Sequence, residues 1–175
     1  PQHWNQGVLL RLPEDVEVPQ LRSYLQQLLQ HHDALRLAVT PSSQRYLQNL
    51  PLGSPALMDY RELGETGLQL ALTKLQSHFE PMLGRTLCWG LVENLPQGRG
   101  LFIACHHLVV DAVSWRILAD DLARLYRGEA LPAKTSSYRQ WGQGLLAYVL
   151  QAGEQLRFWR ERMAGMDYRI TSDWI

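Results

Sequence analysis

Cysteine is scarce in this 175-residue chain, and long apolar runs and an excess of one charge are missing from it. With only Cys88 and Cys105, and no CxxC pair, there is neither a disulfide framework nor a cysteine zinc site, and the two read as buried free thiols. The longest apolar stretches, Leu101 to Ala104 and Leu108 to Val110, fall far short of the roughly 18 residues a membrane-crossing helix needs. Seventeen Lys and Arg balance seventeen Asp and Glu, so no general attraction to nucleic acid or to an anionic membrane is written into the composition. No basic and apolar leader opens the chain, and Pro1 runs almost directly into a strand-like segment, as expected of a sequence that begins inside a fold. No repeat or low-complexity tract occurs. A hydrophobic content of 46% with 19% charged residues is that of a chain with a buried core, and the length suits one domain or one lobe of a larger one.

Hydrophobic spacing divides the chain into strands and helices. Val8, Leu10 and Leu12 alternate before Pro13 and predict a first strand. Val18, Leu21, Leu25 and Leu28 recur at helical spacing and predict a helix ending near His31-His32. Leu35, Leu37 and Val39 alternate up to Pro41 and predict a second strand, with Arg36 directed away from the leucines. Residues 41 to 66 read mostly as loop, with a short strand near Tyr46. Leu68, Ala71, Leu72, Leu75 and Phe79 predict a second amphipathic helix closed by Pro81 and Gly84. Leu87 to Val92 and Leu101 to Cys105 flank the turn-rich segment Asn94 to Gly100, which predicts a hairpin in which Cys88 and Cys105 could face one another. Trp115, Leu118, Leu122 and Leu125 predict a helix, and Trp141 to Trp159 a long final one, its aromatic residues packed in a core or against another lobe. The sum is an α/β (α+β) sandwich, a mixed β-sheet with packed helices.

The one dense set of ionisable groups in an apolar context is His106-His107-Leu108-Val109-Val110-Asp111, at a strand-to-helix transition. A neutral imidazole is the usual general base near neutral pH. The plainer alternative is a core histidine bonded to backbone, with Asp111 capping the next helix. Adjacent strand residues point oppositely, so only one histidine reaches a given pocket, and the helical spacing that zinc-binding pairs use is absent. Ser114 lacks a G-x-S-x-G elbow and suits a helix cap better than a nucleophile.

His106 to Leu118, HHLVVDAVSWRIL, resembles the HHxxxD signature of the condensation and epimerization domains of nonribosomal peptide synthetases, a superfamily with the chloramphenicol acetyltransferase-like fold. Asn5-Gln6, His32-Asp33-Ala34-Leu35-Arg36 and Phe79-Glu80-Pro81-Met82-Leu83-Gly84 resemble further family segments and fall in the same order. Ser114-Trp115 and the Trp4-Asn5-Gln6 opening are most similar to the epimerization branch. The resemblance spans nearly all of residues 1–175 and implies the N-terminal lobe of such a domain, the second lobe lying outside this chain.

What the resemblance implies is an isomerase within a larger cytoplasmic synthetase. His107 matches the catalytic histidine, which would take the Cα proton of an aminoacyl or peptidyl thioester on the phosphopantetheine arm of a peptidyl carrier protein. His106 matches a structural histidine, and Asp111 a brace expected to pair with Arg36; Ser114 and Trp115 support the motif. No metal or directly bound cofactor is implied. The expected partners are the carrier protein, the second lobe, which in epimerization domains supplies a glutamate, and neighbouring synthetase domains. Amide-bond-forming condensation and a catalytically silent carrier-docking domain are the alternatives. One departure is Ala112, where the family usually has glycine, whose freedom at positive φ a Cβ removes.

Overall fold

Alternation at the start of the chain becomes β1 (Asn5–Leu12), and helical spacing becomes α1 (Val18–His31), which has a proline in its first turn and buries Leu21, Leu25, Leu28 and Leu29. This computed structural model describes residues 4–166. The chain divides into two units, Pro1–Lys134 and Thr135–Ile175.

In the first unit, β2 (Leu37–Thr40) and β3 (Ser43–Tyr46) form a small antiparallel ribbon. The main sheet has the order β1-β6-β5-β4, from β4 (Ala56–Asp59), β5 (Leu87–Leu95) and β6 (Gly98–His106). It is mixed: β1 and β5 run antiparallel to β6, and β4 runs parallel to β5. Two helices complete the unit, α2 (Tyr60–Leu75) and α3 (Ala112–Tyr126).

Strand alternation sorts the side chains to two faces. Trp89, Leu91, Leu101, Ile103 and Cys105 join α1 and α3 leucines in the main core. From the other face, Val92 packs with Met58 and Leu68, and Phe102 and Ala104 with Phe79. The predicted sandwich is the observed one, with α1 and α3 on one face and α2 on the other.

Several boundaries differ from the expectation. Leu35 and Arg36 lie in a 3₁₀ turn, Asp33–Arg36, and the strand begins at Leu37. Arg36, expected to point away from the leucines of a strand, is 7% exposed, because its guanidinium folds back onto the end of α1. The region read mostly as loop also contains β4, too short to show a pattern. It contains the start of α2 as well, where Asp59 accepts a bond from the Arg61 amide as the N-cap. Gly64, at φ 61°, kinks α2 ahead of the apolar stripe that marks its second part.

The hairpin turn is tighter than expected: β5 runs on to Leu95 and β6 begins at Gly98. The resulting register pairs Cys88 with Ala104 and Leu87 with Cys105, so the two cysteines occupy opposite faces and do not meet. Both are free thiols, and burial pushes Cys88 up to about 12 and Cys105 higher still.

The second unit is two helices, α4 (Tyr138–Gln151) and α5 (Gly153–Met163), in place of the single long one predicted. The break falls at Ala152-Gly153, where glycine is a poor helix former. Neither helix buries a residue, and Trp141, Tyr148, Phe158 and Trp159 are all about half exposed, so the expected core packing is not met within this unit. No helix among the described residues is long and apolar enough to cross a membrane.

Candidate active site

At the end of β6 the chain separates its two histidines. The His106 amide donates to the Thr86 carbonyl at 2.9 Å and the His107 amide to the Trp4 carbonyl at 2.7 Å, so backbone bonds to both sides hold the pair in place. His106 is 5% exposed; its Nδ1 accepts from the Leu108 amide at 3.1 Å, and its ring meets Phe79 edge-on.

The His107 ring is half-buried and tied at both nitrogens. Nδ1 lies 2.8 Å from the Val110 carbonyl, which can only accept, so Nδ1 carries the hydrogen and the lone pair of the neutral ring is on Nε2. Nε2 lies 3.1 Å from the side-chain nitrogen of Gln6. The Gln6 amide is itself oriented, because its oxygen accepts from the Trp115 indole N–H at 3.0 Å and an indole can only donate. The Trp4 ring stands against the imidazole at 5.0 Å between centroids, inclined 61°. The same alternation sends Asn5 the other way, where its amide donates to the Gln76 carbonyl at 2.7 Å.

Asp111 is exposed and caps α3. Its carboxylate accepts from the Ser114 amide at 2.8 Å and hydroxyl at 2.7 Å, while the Asp111 amide donates to the Ser114 hydroxyl at 3.2 Å. Hydrogen bonds from the Ser114 hydroxyl and amide hold this carboxyl below its ordinary range. The plainer reading of Asp111 and Ser114, a helix cap, is therefore the observed one.

The expected ion pair between Asp111 and Arg36 is not formed. Arg36 donates through Nε to the Leu29 carbonyl at 2.9 Å, through Nη2 to Gln30 at 3.2 Å and to Asp33, and through Nη1 to the Leu47 carbonyl. Leu29 and Gln30 sit in the last turn of α1, whose carbonyls have no intrahelical partner, and a cation there also suits the helix dipole. Those acceptors claim the guanidinium, and the cap claims Asp111. Ala112 is the first residue of α3, and the only described non-glycine residue at positive φ is Asn94, so this position does not require glycine.

Two further features lie outside the motif. Nε2 of His32 is 2.9 Å from the buried carboxylate of Asp121, and together with His31 these are the described residues whose donor atoms could gather round a metal ion, within 4.8 Å of one another. An apolar cavity of about 880 Å³ is lined by Leu29, Leu52, Met58, Leu75, Phe79 and Cys88 among others, and His107 is not part of its wall.

Sequence reasoning placed His107, His106, Asp111, Ser114 and Trp115 around one strand-to-helix junction, and they are there; Arg36 belongs to the end of α1. In the sequence, Gln6 and Trp4 stand out only as part of the Trp4-Asn5-Gln6 opening segment. Alternation along β1 and β6 puts Gln6 and His107 on one face, but that becomes informative only once the two strands are known to be neighbours.

The family model for the condensation domain matches residues 1–171. The chain is 37% identical over 166 residues to N-(5-amino-5-carboxypentanoyl)-L-cysteinyl-D-valine synthase of Amycolatopsis lactamdurans, which covers 94% of the chain and 4% of that protein. It is 34% identical over 172 residues to tyrocidine synthase 1 of Brevibacillus parabrevis, covering 90% of the chain and 16% of that protein. The chain thus spans a small part of these relatives. Among solved structures, the epimerization domain from the third module of tyrocidine synthetase B superposes with a TM-score of 0.76 at 26% identity, over 98% of this chain and 44% of that one. The condensation domain of the Monacolin K polyketide synthase, at 15% identity, shares the fold with a TM-score of 0.72 over 98% of this chain and 40% of that one. The expected chloramphenicol acetyltransferase-like lobe agrees with these neighbours, and the chain belongs to the condensation-domain family.

Proposed function

We propose that this chain is the N-terminal lobe of an epimerization domain acting in nonribosomal peptide synthesis, with His107 as the base. The observation that carries this reading is the tautomer: a neutral imidazole bonded to the Val110 carbonyl through Nδ1 keeps its lone pair on Nε2, where the Gln6 side-chain nitrogen 3.1 Å away would yield to the substrate. In the reaction, the Cα–H bond of an aminoacyl or peptidyl thioester breaks, its proton passes to Nε2 and its electron pair enters the enolate. Reprotonation from the opposite face inverts the centre. A thioester suits this step because its carbonyl delocalises carbanion charge better than an amide does.

The substrate would arrive on the phosphopantetheine arm of a carrier protein. The second lobe would close over the histidine and supply the acid for the opposite face; that this chain covers 44% of the similar epimerization domain supports a two-lobed whole. The exposed aromatic side chains of α4 and α5 offer an apolar surface for such a partner. Ser114-Trp115 after the motif supports epimerization over condensation. Condensation remains the second reading because the matching family model is that of the condensation domain.

The test loads the carrier domain of the full-length protein with an L-aminoacyl group and follows Cα deuterium exchange. Exchange is expected in the parent and should fall by about 10² to 10⁴ in His107→Ala, the usual contribution of a positioned base. Amide formation without exchange would establish condensation instead, and neither activity would leave carrier docking.

A further inference from the structure

We infer that Gln6 and Trp115 are positioning residues which hold the imidazole of His107 in the tautomer that leaves Nε2 unprotonated. The Trp115 indole has a single N–H and no acceptor, and it points at the Gln6 oxygen at 3.0 Å. That fixes which end of the Gln6 amide faces the ring: the NH₂ group, 3.1 Å from Nε2. A donor at Nε2 is compatible with a lone pair there and incompatible with a hydrogen. At the far side of the ring, the Val110 carbonyl accepts the Nδ1 hydrogen at 2.8 Å.

The chain indole, amide, imidazole, carbonyl therefore has one consistent direction, and reversing any member leaves two donors or two acceptors facing each other. Nε2 has a single lone pair, so the Gln6 N–H must leave it before the Cα proton can arrive; Gln6 therefore fixes the tautomer of the resting ring and turns aside when Nε2 takes a proton. The three side chains come from β1, the start of α3 and the end of β6, so the device exists only when the sheet is formed.

The kinetic part rests on the proposed epimerization; the tautomer does not. Gln6→Leu and Trp115→Phe in the full-length protein should each lower kcat for Cα exchange roughly 2- to 10-fold, the usual effect of one neutral hydrogen bond, with KM little changed. The double variant should be no worse than Gln6→Leu alone, because both break the same chain. Gln6→Glu keeps the shape and accepts from Trp115 but cannot donate to Nε2, so it should be as slow as Gln6→Leu. It should also draw a proton onto Nε2.

Ring ¹⁵N chemical shifts of histidine-labelled protein provide the independent readout. They should show hydrogen on Nδ1 in the parent, and a shift toward Nε2 protonation in Gln6→Glu. Hydrogen on Nε2 in the parent, or full kcat in Gln6→Glu, would overturn the inference. The expected ¹⁵N pattern in a protein that shows no Cα exchange would remove the epimerization reading and leave the tautomer assignment standing.

Discussion

Removing the Arg36 guanidinium should loosen the whole first unit, and the cost can be worked from its acceptors. Arg36→Ala strips the hydrogen bonds from the carbonyls of Leu29, Gln30 and Leu47 and from Asp33. Gln30 is an exposed residue, so water can replace the lost donor, while Leu29 is 2% exposed and Leu47 is half-buried. Each shielded carbonyl left without a partner costs about 1 to 3 kcal/mol. With the lost packing of a buried stem, the expected total is about 3 to 5 kcal/mol. Asp33 is 35% exposed at its side chain and also pairs with Lys134 at 2.8 Å, so Asp33→Asn should cost about 1 kcal/mol or less.

The assay is hydrogen exchange of the β5–β6 hairpin amides, which lie in the core and report the unfolding free energy. Protection should fall by about 10²-fold to about 4 × 10³-fold in Arg36→Ala, since about 1.4 kcal/mol corresponds to a factor of ten. A double-mutant cycle with Asp111→Asn distinguishes the helix-end strap from the ion pair that the motif resemblance implies. Coupling should stay within about 0.5 kcal/mol for side chains without shared partners. Coupling above about 1 kcal/mol, or a cost below about 1 kcal/mol for Arg36→Ala, would refute the reasoning.

Acid should weaken the fold through His32, whose pKa burial lowers below 6.5 despite the opposing hydrogen bond that its ring donates to Asp121. Above that value both states are neutral and the stability is fully present; as the pH falls the unfolded state takes the proton first and stability drops, so the Tm difference between about pH 7.5 and about pH 5.5 should shrink in His32→Gln. An unchanged difference would remove His32 as the cause. Gly84→Ala should cost about 1 to 2 kcal/mol, because Gly84 sits at φ 70° and a Cβ there would lie 2.6 Å from a Leu47 methyl. Urea unfolding at parental stability would contradict that estimate.

The hydrophobic pattern alone determined the strands at both sides of the sheet centre, α1, α3 and the sandwich, because periods of 2 and 3.6 decide which side of an element avoids water whatever it packs against. Val8 and Leu10 on β1, and Leu118, Leu122 and Leu125 on α3, face the core their spacing predicted. Short elements escaped it: β4 has four residues, and Gly64 interrupts α2 before its apolar stripe begins. The motif was legible as a cluster on a strand-to-helix junction, and Ser114 as part of a cap. Its partners were not.

Whether Arg36 would meet Asp111 or the end of α1, whether Cys88 would oppose Cys105, and which residue would touch Nε2 of His107 all depend on strand register and on where a helix ends. A long polar side chain satisfies whichever acceptors lie nearest in space. Sequence separation says nothing of that when Gln6 and His107 stand 101 residues apart along the chain and 3.1 Å apart across the sheet.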